Sequence, residues 1–140
     1  MIAEHYALEC GTHGDDHIVD LTDQVQRAVA ESGVTIGQAA LLVHGSTAAL
    51  TTVEYEPGLV NHDVSAALDR IAPRDGRYEH EETWHDDNGH SHVRASLVGP
   101  SLALPITGGQ VPLGTWQQIV LIDSDTRPRR RTVHLSVVGR

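Results

Sequence analysis

The sequence predicts an α+β fold: one compact domain over residues 1–140, mostly antiparallel β-sheet with two main helices. Three observations carry this. Strand-like and helix-like runs follow the order β-β-α-β-β-α-β-β-β-β, which lacks the regular alternation of a doubly wound sheet. Only two stretches place apolar residues at helical spacing. Phe is absent and aromatics make up 4% of the chain, so the core must rest on Leu, Val, Ile and Ala, which suits a β-rich fold.

The elements follow in order. Residues 2–9 read as a strand with Tyr6 and Leu8 on one face, and residues 17–21 as a second, after a Gly- and Asp-rich turn. Thr22 is placed to cap a helix, with Asp23 in its positive first turn. Leu21, Val25, Ala28 and Val29 give that helix its apolar stripe, and Gly33 suits its C-terminal end. Residues 39–43 read as a buried strand, followed by the Thr- and Ala-rich run 45–54. Pro57-Gly58 makes a turn. A second helix is expected over 59–72, with Val64, Ala67, Leu68 and Ile71 as its buried stripe and Pro73 as its stop. Strands are then expected over 90–98, 102–106, 116–123 and 132–138, with Thr107-Gly108-Gly109-Gln110 as a hairpin turn.

Bulk properties narrow the function. A net charge of −9 argues against nucleic acid as a main partner, because phosphate neutralisation needs excess Lys and Arg. The arginine-rich run 127–131 reads either as a solvated turn or as an anion- or subunit-contacting patch. A single cysteine, Cys10, allows no intrachain disulfide and no Cys-based zinc motif. No signal peptide is visible and no run approaches the ~20 apolar residues of a membrane span. The expectation is a soluble, cytoplasmic protein without a membrane partner.

The stretch 78–94 concentrates the chemistry: His80, His85, His90 and His92 stand among Glu79, Glu81, Glu82, Asp86 and Asp87. Read as a strand, residues 90–98 would line one face with His90, His92 and Arg94, and the core with Val93, Ala95 and Leu97. Two imidazoles about 6–7 Å apart along a strand can share a metal ion with a third ligand. Arg94 beside them suits an anionic substrate. The alternative is a histidine-rich acidic surface loop without a site. Phosphate-loop, dinucleotide, nucleophile-elbow and His-Glu-x-x-His motifs are all absent.

Three long runs resemble one known family. They are Ser46-Thr47-Ala48-Ala49-Leu50-Thr51-Thr52-Val53-Glu54, then Asn88-Gly89-His90-Ser91-His92-Val93-Arg94-Ala95-Ser96-Leu97-Val98-Gly99-Pro100-Ser101-Leu102, and Leu113-Gly114-Thr115-Trp116-Gln117-Gln118-Ile119. In this order they are similar to the YjbQ, or UPF0047, family. The resemblance implies a compact α+β homotrimer with a His-rich polar pocket for metal or anions near the subunit boundary. It also implies secondary thiamine-phosphate synthase activity, which joins a hydroxymethylpyrimidine diphosphate to a thiazole phosphate and releases pyrophosphate.

By matching positions, Glu54 closes the Thr-rich motif, His62-Asp63 is the family's His-Asp pair, and His80, His90 and His92 match its histidines. Arg94 stands for its Lys, and Trp116-Gln117 belongs to its Gly-Thr-Trp-Gln motif. Where many members carry His before the Thr-rich motif, this chain has Gly45, with His44 one place earlier. If that His is needed, His85 or His44 must replace it. Two functions are therefore carried forward. One is a thiamine-phosphate-synthase-like enzyme acting on a small phosphorylated substrate. Its divalent metal, Zn or Mg, is held by His90, His92, His80 and His62. Arg94 would neutralise the leaving group, Glu54 or Asp63 would serve as base, and Ser46, Thr47, Trp116 and Gln117 would contact substrate. The alternative is a non-catalytic trimer that binds a metal or an anionic metabolite. A third reading, in which the histidines only stitch the subunit interface, is structural.

Overall fold

Apolar residues alternate along the strands, and the computed structural model, which describes residues 1–140, turns that alternation into two antiparallel sheets. The first has the order β1-β7-β3-β5, formed by Ile2–Thr12, Arg129–Gly139, Ile36–Val43 and Ser101–Thr107. The second is β2-β6-β4, formed by His17–Asp20, Gln117–Asp123 and Ala48–Glu54. The fold is α+β, as the sequence predicts, but neighbours in the chain do not always pair. β3 and β4 enter different sheets, and so do β5 and β6. The Gly108-Gly109 turn closes a bridge between Thr107 and Gln110 instead of a β5–β6 hairpin.

The main core lies between the inner face of the first sheet, one face of the second and helix α1 (Thr22–Ser32). Leu41, Val133, Leu135, Leu50, Ile119, Leu121, Val25 and Val29 meet there. Burying such side chains contributes about 1.5–3 kcal/mol each. The start of α1 differs from expectation. Asp20 accepts the backbone N–H of Thr22 at 2.9 Å, and the Thr22 hydroxyl instead accepts the N–H of Ile119 at 2.9 Å. Gly33 ends the helix in the left-handed region, at φ 77°.

The other face of the second sheet carries Ile18, Val120 and Ile122, packed against Val60, Val64 and Val98. These last come from a π-helical turn, Leu59–Asp63, that runs into α2 (Val64–Ile71), and from α4 (Gly89–Val98). The short helix α3 (His80–Trp84) lies between them in sequence. No helix is long and apolar enough to cross a membrane.

The largest departure from the sequence reading is α4, where a strand was expected. Gly89 at its start is buried, and its other buried residues are His90, Ser91, Arg94 and Ala95, a helical i, i+1, i+4, i+5 face. Val93 and Leu97, read as core, are exposed. The face α4 turns inward is therefore largely polar. Its cost is offset by specific ion pairs, which a hydrophobic pattern does not reveal.

Candidate functional site

The candidate site is built from α4, α3 and the loop joining α2 to α3. Arg94 organises it. This side chain is 1% exposed, and its guanidinium donates to the Ala72 carbonyl at 2.9 Å and to Asp69 at 2.8 Å, while Nη1 pairs with the buried Asp16 carboxylate. Ser65 and Ser124 also donate to Asp16. The expected role of Arg94 as a free cation facing a substrate is thereby corrected: its donors are already taken by two carboxylates and a carbonyl.

The helical geometry also separates the two histidines. Residues two apart on a helix are about 200° apart, so His90 and His92 point to different sides. His90 is buried beside Tyr78, with ring centres 6.3 Å apart. Burial, and then the cations of Arg94 and Arg74, lower its pKa below the ordinary histidine value, which keeps the ring neutral at pH 7. Tyr78 crosses so close to the start of α4 that a Cβ at Gly89 would meet its side chain at 2.6 Å, and its hydroxyl donates to the Pro73 carbonyl at 2.7 Å. A cleft of about 230 Å³ opens here, bordered by Arg74, Arg77, Tyr78, Glu81, Asp87 and His90.

His92 pairs instead with His80, ring centres 4.5 Å apart. The buried Nδ1 of His80 lies 3.3 Å from the Asp86 carboxylate but makes no aligned hydrogen bond. An unused imidazole nitrogen facing a carboxylate, with a second imidazole alongside, suits a divalent cation. Within one chain, however, no three His, Cys, Asp or Glu side chains converge as a complete metal site. The four histidines expected to share a metal are thus dispersed. His62 lies on the π-turn, exposed, with Nδ1 2.8 Å from Asp63, and His90 sits among arginines.

The other sequence candidates also occupy separate places. Glu54, at the end of β4, and the exposed Trp116 border a groove with Asp20 and Tyr55. Gln117 bridges locally, donating to Thr52 at 3.0 Å and accepting from the Gly114 N–H at 3.1 Å. Ser46 borders a shallow groove with Ala95 and Ser96. Thr47 is buried, donates to Asp125 at 3.0 Å and accepts from Arg131 at 2.7 Å, so it serves the protein's own ion network and does not face a substrate. Gly45 has φ 134°, and a Cβ there would lie 2.7 Å from Nη1 of Arg131. A glycine fits beside that arginine where a histidine would collide. The sequence reading missed Arg74 and Tyr78, and placed Asp86 only within an acidic stretch. The one available signal was their position around the histidine cluster.

A family model described as UPF0047 protein YjbQ-like matches residues 6–140. The chain belongs to the YjbQ-like UPF0047 family. A UPF0047 protein of Mycobacterium tuberculosis is 41% identical over 86% of this chain and 88% of its own. The fold of this UPF0047 chain is shared with solved structures. A YbjQ-like protein of Sulfolobus solfataricus superposes with a TM-score of 0.88 at 28% identity, covering 99% of both chains. A yjbq/upf0047 family protein of Clostridium acetobutylicum gives 0.83 at 37% identity, covering 96% of this chain and 99% of its own.

Proposed function

We propose that this UPF0047 chain binds a small phosphorylated substrate in the cleft beside Tyr78 and His90, next to a divalent cation held by His80, His92 and Asp86. The observation that carries the reading is the pairing of His80 with His92 across α3 and α4, beside a cleft that Arg74 and Arg77 border. Guanidinium groups recognise phosphate oxygens, and neutral His90 adds a polar group without a competing charge. The reaction class that best fits the family resemblance is thiamine-phosphate synthesis. There a bound cation would neutralise the diphosphate leaving group. Arg74 and Arg77 would bind and orient the phosphates, and Tyr78 would shape the cleft wall.

The ligand set is incomplete in one chain, and a homotrimer would supply the missing donors from a neighbouring copy. The exposed Val93 and Leu97 on α4 support burial of this face in an assembly. Glu54 or Asp63 would then act as a base across the subunit boundary. A non-catalytic binder of an anionic metabolite is the second reading, favoured by the full engagement of Arg94 in internal ion pairs.

The test is product formation from the pyrimidine diphosphate and thiazole phosphate with added Zn or Mg, comparing wild type with Arg74→Ala/Arg77→Ala. The proposal expects turnover in the wild type and a loss of at least about tenfold in kcat/KM in the variant, since one lost charge-assisted contact costs about 1.5–3 kcal/mol. Tight phosphate binding without product would leave only the binding reading. Equal turnover in both proteins would remove the cleft.

A further inference from the structure

Three more histidines form a row on the outer face of the first sheet. His5 lies on β1, His134 on β7, and His44 follows the last residue of β3. The strand register places them on a diagonal: Ala7 pairs with His134, His5 with Ser136, and the N–H of His44 bonds to the carbonyl of Thr132. Side chains two positions apart on adjacent strands come within reach across such a diagonal. The rings follow it, with centres 5.3 Å apart for His5 and His134 and 5.9 Å for His44 and His134.

We infer that this row is a second metal site, selective for an imidazole-seeking divalent ion such as Zn²⁺ or Ni²⁺. The deciding distance is between Nδ1 of His134 and Nε2 of His5, which is 3.3 Å. Two nitrogens bound to one tetrahedral ion at about 2.0–2.1 Å stand roughly 3.3–3.4 Å apart. Two donors are therefore already spaced for a common ion. At present they share a single hydrogen. An entering ion replaces that hydrogen, and the donating ring moves its proton to its other nitrogen, so binding needs no net proton release. Only two donors are in place, in keeping with the absence of any converged group of three ligands in one chain. The side chain of His44 is exposed, makes no hydrogen bond, and would become the third donor by turning toward the pair. Water completes the shell. A net charge of −9 draws cations to the surface, and a ligand set of imidazoles alone disfavours Mg²⁺ and Ca²⁺.

The site is independent of the one proposed at His80 and His92, and the test keeps them apart. Tag-free protein carrying His80→Ala/His92→Ala is titrated with ZnCl₂ by calorimetry, and the imidazole ring signals are followed by NMR in both that protein and the wild type. One Zn²⁺ per chain is expected, with shifts of the His5 and His134 ring signals and none on adding MgCl₂. Adding His134→Ala, or separately His5→Ala, should weaken binding at least about tenfold. Both residues face outward, so the variants should keep the wild-type unfolding midpoint without metal. Unshifted His5 and His134 signals, or unchanged affinity in either variant, would overturn the inference.

Discussion

Replacing Arg94 with alanine is expected to lower the unfolding free energy by about 3–5 kcal/mol, the cost of stranding one member of a buried ion pair. The effect comes mainly through Asp16, which is 4% exposed and keeps only the Ser65 and Ser124 hydroxyls once the guanidinium is gone. Asp69 is half-exposed, and water replaces most of its share. The same guanidinium ties α4 to the C-terminal end of α2 through the Ala72 carbonyl and to the β1–β2 turn through Asp16. Arg94→Lys keeps a charge for Asp16 but cannot make the three-way fork, and should recover only part of the loss. Urea unfolding of the three proteins decides this. A loss below about 1 kcal/mol for Arg94→Ala, the scale of a surface pair, would mean that Arg94 is not the latch described.

Arg131→Met is expected to cost a similar 3–5 kcal/mol at pH 7, and to reverse the pH dependence of stability in the acid range. Asp123 is fully buried, and burial alone would raise its pKa. Hydrogen bonds from Arg131 at 2.7 and 2.9 Å, from the Thr12 hydroxyl at 2.6 Å and from the Asp125 N–H at 3.0 Å outweigh that and hold it below the usual carboxylate range. Asp125, bonded by Thr126, Thr47 and Arg129, is lowered as well. A folded-state pKa below the unfolded one gives stability that is fully present above the unfolded value. It fades as pH falls through the folded value. Wild type should therefore hold its stability from pH 7 to about pH 5 and lose it in stronger acid. Without Arg131, burial dominates and the Asp123 carboxyl is favoured protonated. The variant should then lose stability as pH rises from about 4 to 7. Denaturation midpoints at pH 4, 5.5 and 7 test this, and parallel profiles for the two proteins would refute it.

These two networks also explain which parts of the molecule could be read from the sequence. The stripe of α1 and the apolar centre of β6 were legible because their buried residues are apolar and locally periodic. The second helix does end before Pro73, but of its expected stripe only Leu68 is buried and Val64 half-buried, while Ala67 and Ile71 are exposed. α4 was not, because the inward set His90, Ser91 and Arg94 is polar and its partners, Asp16 and Asp69, lie far along the chain. The alternation of Val93, Ala95 and Leu97 invited the opposite reading. The arginine-rich run 127–131 offered a solvated turn, yet Arg129 to Arg131 begin β7, and Arg131 turns inward to a carboxylate on β6. Thr47 looked like a substrate contact because small hydroxyl residues permit close approach. What approaches is Arg131 of the same chain. A strand spacing set His92 beside His90, whereas its ring lies 4.5 Å from that of His80.

That reassignment is the central claim, and metal content tests it most directly. Tag-free wild type, His92→Ala and His90→Ala are purified, stripped of metal, re-equilibrated at pH 7.5 with sub-stoichiometric Zn²⁺ in the presence of a weak chelator, and assayed by elemental analysis. Each chain also carries His5→Ala/His134→Ala, so that the outer-face cluster contributes nothing. The helical arrangement predicts that His90→Ala retains wild-type metal while His92→Ala loses it. Loss of metal in His90→Ala with retention in His92→Ala would contradict the account.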